Sequence, residues 1–265
     1  MMTPRVAVLT GYGINSEAEL AQSFNLAGGQ SERVHLHDCI DGRIRLEEFD
    51  ILAIPGGFSF GDHIASGRVF ANRLRYKLGD TLLRLRERKI PIIGICNGFQ
   101  VLVKLGLLPG TEPVTFKQTC TLTYNDSSRY EDRWCYLKSG NESPCIWLKG
   151  VDRLYLPVRH GEGKFIPGSE ELLNSLQAAN QTCLHYCLED GSPPPEGAAG
   201  FPANPNGSVA HVAGLCSHDG LVFGLMPHPE AHILPTQHPR WHREGMGVEG
   251  DGLKIFRNAV EWVRK

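Results

Sequence analysis

The sequence has no long basic block and almost no net charge. Its 265 residues include 27 lysines and arginines against 29 aspartates and glutamates, which gives a formal net charge of −2 at pH 7. Nucleic acids and anionic membranes select basic surfaces, so this balance offers neither of them an electrostatic footprint. We therefore expect the partners to be small molecules or other proteins.

Export signals and membrane anchors are also missing from the sequence. No apolar run is long enough to cross a bilayer, and the amino terminus, MMTPRVAVLTGYG, lacks the ordered basic, apolar and small-residue regions of a signal peptide. The eight cysteines are scattered, which in a chain of this length favours reduced thiols over a disulfide framework. These observations predict a cytoplasmic protein with no membrane partner.

No internal repeat divides the chain, and with 41% hydrophobic residues it can bury a full core. We expect a single domain over residues 1–265. Short runs rich in β-branched residues predict buried strands at residues 5–10, 33–38, 50–55 and 91–95.

Helical patterns lie between these strands, at residues 16–27 and 62–88. Ser16 and Glu19 have the spacing of a capping box, and Gly79 is expected to break the second helix. Alternating strands and helices predict an α/β fold with a mostly parallel central sheet and helices on both faces. Shorter β-like pieces after residue 110 predict a small antiparallel extension.

The motif GICNG places Cys96 between a predicted strand and a predicted helix. It is a cysteine version of the GxSxG nucleophile elbow, in which a sharp turn exposes the nucleophile at the carboxyl edge of the sheet. Gly94 and Gly98 supply the room for such a turn, and the start of the following helix favours a thiolate. The N–H of Asn97 would then face a developing oxyanion. The alternative is a small buried cysteine that ends a strand.

A thiol nucleophile needs a base and a group that orients the base. LMPHPE provides His228 and Glu230, two residues apart in a segment that Pro227 and Pro229 are expected to hold extended, so that both side chains project to one side. A histidine beside prolines in a loop can equally be an ordinary surface residue.

PGGFSFGD follows another predicted strand and makes Gly57 a candidate for a second oxyanion donor, or simply part of a tight turn. CLHYC alternates Cys183, His185 and Cys187, but no fourth ligand lies nearby in sequence. We therefore predict no metal site.

Together, these motifs resemble the class I glutamine amidotransferases, and within them the glutaminase component of phosphoribosylformylglycinamidine synthase. The resemblance covers nearly the whole chain and rests on PGGFSFGD, GICNGFQVL, VRHGEGKF, NPNGSV and MPHPE, in this order. It implies the flavodoxin-like fold of that family. It also implies that Cys96 is the nucleophile and that His228 and Glu230 complete its triad.

The resemblance assigns four further positions. Gly57 and Asn97 match the residues whose backbone N–H groups form the oxyanion hole. Gln100 matches a residue that helps to hold the substrate glutamine, and His160 matches a family signature near the mouth of the active site, either touching glutamine or shaping the loop.

The activity implied is hydrolysis of L-glutamine to glutamate and ammonia through a cysteinyl thioester. The ammonia would pass to an ATP-dependent synthetase partner that makes formylglycinamidine ribonucleotide in purine biosynthesis. We expect no cofactor in this chain, with ATP and magnesium bound by the partner, and the resemblance leaves open whether a small accessory subunit takes part. Two alternatives remain: a cysteine peptidase or thioesterase on a similar sheet, and a non-catalytic regulatory module of the same fold.

Overall fold

A computed structural model of the protein describes residues 2–110, 113–140, 142–245 and 247–265. Within these ranges the strands are β1 (Arg5–Thr10), β2 (Gln30–His35), β3 (Ile51–Ile54), β4 (Ile92–Ile95), β5 (Cys120–Thr123), β6 (Glu131–Ser139), β7 (Arg153–His160), β8 (Lys164–Pro167), β9 (Leu184–Cys187), β10 (Val212–Cys216) and β11 (Val222–Leu225). The helices are α1 (Glu17–Leu26), α2 (Leu36–Ile40), α3 (Arg68–Glu87), α4 (Asn97–Leu105), α5 (Glu170–Ala178), α6 (Trp241–Glu244) and α7 (Leu253–Val263).

Nine of these strands form one mixed sheet in the order β2-β1-β3-β4-β11-β10-β9-β6-β7. The first five are parallel to one another, and the remaining four continue the sheet in antiparallel pairs. Strands β5 and β8 form a separate antiparallel pair. The predicted α/β fold with an antiparallel extension is confirmed, and four strands of that extension belong to the main sheet.

The central strands β3 and β4 are buried along their whole length. This fits strands that helices cover on both faces, which are apolar at every position rather than at alternate ones. Helix α1 packs against α7, and α3 packs against α4. None of the helices in the described ranges combines the length and apolarity that a bilayer crossing requires.

Three local predictions were wrong in detail. The second strand ends at His35, whose Nδ1 accepts a hydrogen bond from the His37 N–H at 3.2 Å and caps α2. Ser16 precedes α1 but makes no capping hydrogen bond with its side chain, so the capping box does not form. Helix α3 continues through Gly79, and its distortion falls one residue earlier, at Leu78, where φ is −130°.

Candidate active site

Cys96 lies in the sharp turn between β4 and α4. Its φ of 52° and ψ of −106° place a non-glycine residue in a strained conformation, as in a nucleophile elbow. A side chain at Gly94 would bring its Cβ within 2.5 Å of the Gly98 carbonyl oxygen, and one at Gly98 would collide with the Ile54 carbonyl. The Cys96 N–H donates to the Leu225 carbonyl at 2.8 Å, which fixes the turn to β11. The two glycines are thus required by close approach of the backbone.

His228 and Glu230 follow the end of β11, the strand next to β4. The Nδ1 atom of His228 lies 2.6 Å from Oε1 of Glu230, and both side chains are buried. The pair does not lie in an extended segment as expected, because Pro229–Ala231 forms a 3-10 turn. The turn brings the carboxylate back under the imidazole, so the two side chains meet by a different route.

Gly56 lies between the nucleophile and the base. A Cβ at this position would be 2.9 Å from Cε1 of His228 and 3.4 Å from Cβ of Cys96, so only a glycine leaves both side chains in place. Cys96 and His228, separated by 132 positions in the chain, are therefore neighbours at the carboxyl edge of the sheet.

The charge on the imidazole depends on competing effects. Burial alone lowers the pKa of His228, but the charges of Glu230 and Cys96 and the hydrogen bond with Glu230 outweigh it and raise the pKa to about 10. A protonated imidazole beside a cysteine sulfur is the arrangement that favours a nucleophilic thiolate. The Nε2 atom of His228 is buried and has no hydrogen-bond partner among the described residues.

Two backbone N–H groups near the sulfur are free to donate. Neither Gly57 nor Asn97 uses its N–H in a hydrogen bond to any residue that the structure describes. Gly57 has a φ of 145°, and a Cβ there would approach the Gly13 carbonyl oxygen to 2.5 Å. Asn97 is the first residue of α4, where the helix dipole is positive. Their positions suit the oxyanion role, which stays a prediction.

Gln100 lies one helical turn beyond Cys96, and both residues border a cavity above the elbow. Its Nε2 donates to the Glu162 carbonyl at 2.5 Å, and its Oε1 accepts from Nδ2 of Asn97 at 2.9 Å. The Asn97 Oδ1 in turn accepts from the Ser59 N–H at 3.2 Å. Gln100 thus holds the HGEG loop (residues 160–163) over the elbow, and its contact with substrate stays a prediction.

His160 is buried at the end of β7 and borders the cavity. Burial, and then the charge of His228, lower its pKa to about 3, so the ring is neutral. Asn125 Oδ1 lies 3.2 Å from Nδ1 of His160 and also accepts from the Gly163 N–H at 3.0 Å. Since Oδ1 can only accept, Nδ1 carries the proton and Nε2 is an acceptor. Nε2 is buried and has no partner among the described residues.

The cavity above Cys96 has a volume of about 440 Å³ and is bordered by charges of both signs. Arg159 contributes a cation, and Asp62, whose pKa is raised chiefly by burial, contributes a carboxyl group. At the rim, the rings of Phe58 and Tyr130 stack with centroids 6.4 Å apart and are about half exposed. Sequence reasoning did not single out these four residues, although Arg159 lies next to His160 in VRHGEGKF.

Comparison with known proteins gives one consistent result. Residues 3–263 match the family model described as a CobB/CobQ-like glutamine amidotransferase domain. A Dehalococcoides mccartyi protein named phosphoribosylformylglycinamidine synthase subunit PurQ is 46% identical over 265 residues, the full length of both chains. The protein of the same name from Archaeoglobus fulgidus is 41% identical, over 98% of this chain and 97% of its own. The chain belongs to the phosphoribosylformylglycinamidine synthase family of glutamine amidotransferases.

Two further comparisons agree with this assignment. The human phosphoribosylformylglycinamidine synthase is 34% identical over 98% of this amidotransferase, which matches 20% of the longer human chain. A solved structure, described as PurLQS from Thermotoga maritima, matches 98% of this chain and 99% of that chain with a TM-score of 0.70 and 26% identity. The predicted family, enzyme class and function as the glutaminase component of this synthase are thereby confirmed.

Proposed function

We propose that this amidotransferase hydrolyses L-glutamine by the residues predicted from its sequence. The observation that carries the proposal is the position of Cys96, on a strained elbow beside a buried His228–Glu230 pair in which Nδ1 and Oε1 are 2.6 Å apart. A nucleophile, a base and an orienting carboxylate in this order are the elements that acyl transfer requires.

The reaction begins when the Cys96 thiolate attacks the side-chain amide carbon of glutamine. The carbonyl oxygen becomes an oxyanion, which the N–H groups of Gly57 and Asn97 stabilise. His228 donates its proton to the departing nitrogen, the carbon–nitrogen bond breaks, and ammonia leaves a glutamyl thioester on the sulfur. Glu230 keeps the imidazole in position throughout this step.

The thioester is then hydrolysed. Neutral His228 removes a proton from water, the hydroxide adds to the thioester carbonyl, and the carbon–sulfur bond breaks to release glutamate and restore the thiolate. No step requires a metal or an organic cofactor in this chain. The same two oxyanion donors serve both tetrahedral intermediates.

Selection of glutamine is assigned to the charged border of the cavity. The α-carboxylate and α-ammonium groups of an amino acid carry opposite charges, and Arg159 and Glu19 provide one complement to each. Gln100 and Asn125 hold the loop that carries Glu162 against this space, through the Glu162 carbonyl and the Gly163 N–H, and His160 borders the same space. An acyl or peptide substrate without the free amino-acid end would lose these contacts.

The ammonia is assigned to an ATP-dependent synthetase that binds ATP and magnesium and makes formylglycinamidine ribonucleotide. The similar proteins are named PurQ, and the similar Thermotoga maritima structure is described as PurLQS. A Q component named together with L and S components supports a synthetase partner and a small accessory subunit. The exposed Phe58–Tyr130 stack at the mouth supports docking over the cavity. A cytoplasmic location fits the eight cysteines, all of which are free.

Release of glutamate from glutamine by the protein mixed with its synthetase partner tests the proposal. We expect Cys96→Ala to abolish release, whereas Cys39→Ala, a matched buried cysteine on α2, retains it. Faster turnover of acyl or peptide substrates than of glutamine would favour the peptidase or thioesterase alternative. Unchanged partnered activity in Cys96→Ala would favour the non-catalytic module.

A further inference from the structure

Three cysteines outside the active site converge in the core. Cys145, Cys183 and Cys216 come from distant parts of the chain, all three are buried, and their sulfur atoms lie within 4.8 Å of one another. They are not joined by disulfides. In the part of the chain that the structure describes, no other group of three or more potential metal ligands is this close.

The sulfur spacing is close to that of a metal site. Zinc–sulfur bonds of about 2.3 Å in a tetrahedron place neighbouring sulfurs about 3.8 Å apart. The largest separation here, no more than 4.8 Å, exceeds this value by about 1 Å at most. Three cysteine ligands are usual in structural zinc sites, which are closed by a fourth ligand.

Ser143 supplies a candidate for the fourth position. Its Oγ lies 3.7 Å from the Cys216 sulfur and accepts a hydrogen bond from the Cys145 N–H at 3.2 Å. This backbone hydrogen bond fixes the Ser143 side chain beside the cluster, as outer hydrogen bonds do for the ligands of metal sites. The Cys183 thiol donates to the Gly214 carbonyl at 3.7 Å, and this proton would be released when a metal binds.

A route from solvent also reaches the cluster. Ser143 and Cys145 border a surface cavity of about 780 Å³ beside α7. The cavity provides an entry path on the Cys145 side of the cluster, and an entry path is one of the conditions for a metal site.

We propose that Cys145, Cys183 and Cys216 bind one thiophilic divalent cation, with zinc as the natural occupant and the Ser143 oxygen in the fourth position. This inference is independent of the proposed function, because Cys216 is the last residue of β10 and pairs with Phe223 near the start of β11. Cys96 follows the opposite end of the neighbouring strand β4. The site is structural, and it ties the segment before Trp147 to strands β9 and β10.

The test uses the full chain with Cys96→Ala, so that the reactive thiol cannot contribute, kept reduced and titrated with Co²⁺. We expect saturation at one equivalent, with sulfur-to-cobalt charge-transfer absorption, the visible bands of tetrahedral cobalt, and loss of both on adding Zn²⁺. Cys183→Ala and Cys216→Ala in the same background should abolish these bands, and Ser143→Ala should weaken affinity about tenfold. Cys39→Ala is the matched control and should bind as tightly as its parent.

Absence of charge-transfer absorption would overturn the proposal and leave the cluster as three packed thiols. Equal binding by the parent and Cys183→Ala, or equal loss in Cys39→Ala, would also overturn it. If the variants fail to unfold cooperatively, X-ray absorption of the zinc-loaded parent decides instead. Three sulfur ligands support the site, and two or fewer refute it.

Discussion

Replacing Glu230 with glutamine would test how the active site controls the charge on His228. In the wild type, Oε1 of Glu230 lies 2.6 Å from Nδ1 of His228. Glu230→Gln keeps the size of the side chain and an oxygen that can accept from this Nδ1, but removes the negative charge. Both residues are buried, so water cannot replace the lost charge.

The magnitude follows from the pKa of His228, which is about 10 instead of its usual 6.5. This difference corresponds to roughly 5 kcal/mol in favour of the protonated ring. The charge of Glu230 is the largest of the effects that raise the pKa, and burial opposes them. Without that charge we expect the pKa to fall, because burial meets less opposition, and a smaller fraction of the rings to be protonated. If half of the roughly 5 kcal/mol that favours the protonated ring also favours the Cys96 thiolate, losing it lowers the reactivity of Cys96 about 50-fold.

The assay is the rate of iodoacetamide modification at pH 7.5, measured for the peptide that contains Cys96. The remaining seven cysteines are buried and serve as internal references in the same digest. Glu196→Gln is the control, because it removes a carboxylate that lies 3.1 Å from another histidine, His211. A change of less than threefold in Glu230→Gln, or an equal loss in Glu196→Gln, would refute the electrostatic reasoning.

Three further predictions concern the framework of the site. Gly98→Ala should lower the free energy of unfolding by about 3 kcal/mol or more, because its methyl group would meet the backbone at Ile54. Gly79→Ala in α3 has room for the methyl group and should raise the free energy of unfolding by about 0.5–1 kcal/mol. Urea denaturation of the two variants and the wild type measures both changes. Asn125→Asp removes the Nδ2 hydrogen bond to the His160 carbonyl and should raise KM for glutamine more than it lowers kcat; an unchanged KM contradicts this. The raised pKa of His228 stabilises the fold fully below pH 6.5, and this contribution should be lost as pH rises through about 10. The urea midpoint of the wild type should therefore fall more over this pH range than that of His228→Gln, and an equal or smaller fall would contradict the prediction.

Much of the fold was predictable because its signals are local. Strand β1 coincides with the predicted strand at residues 5–10, and β4 differs from the predicted 91–95 by one residue at its start. The prediction failed where one side chain decided the outcome, as at His35, whose ring caps α2 and ends the strand. That the chain is a single domain stays a prediction.

The site was predictable where motifs carry backbone geometry. GICNG specifies an elbow because only glycine permits the approach of Gly98 to the Ile54 carbonyl. The Asn125 contacts with the HGEG loop could not be read from the sequence, because they join residues 35 or more positions apart. The same limit applies to Cys183. CLHYC predicted no metal site because no further ligand lies nearby in sequence, whereas the fold brings the sulfurs of Cys145 and Cys216 within 4.8 Å of that of Cys183.

The most direct test of the mechanism is to look for the covalent intermediate. The amidotransferase with its synthetase partner should be mixed with isotopically labelled glutamine, quenched in acid within one turnover, and digested for mass spectrometry. We predict labelled glutamyl thioester on Cys96 and nowhere else, with none formed in Cys96→Ser. Turnover of glutamine with no label on Cys96 at any quench time, or label on a different residue, would contradict the account.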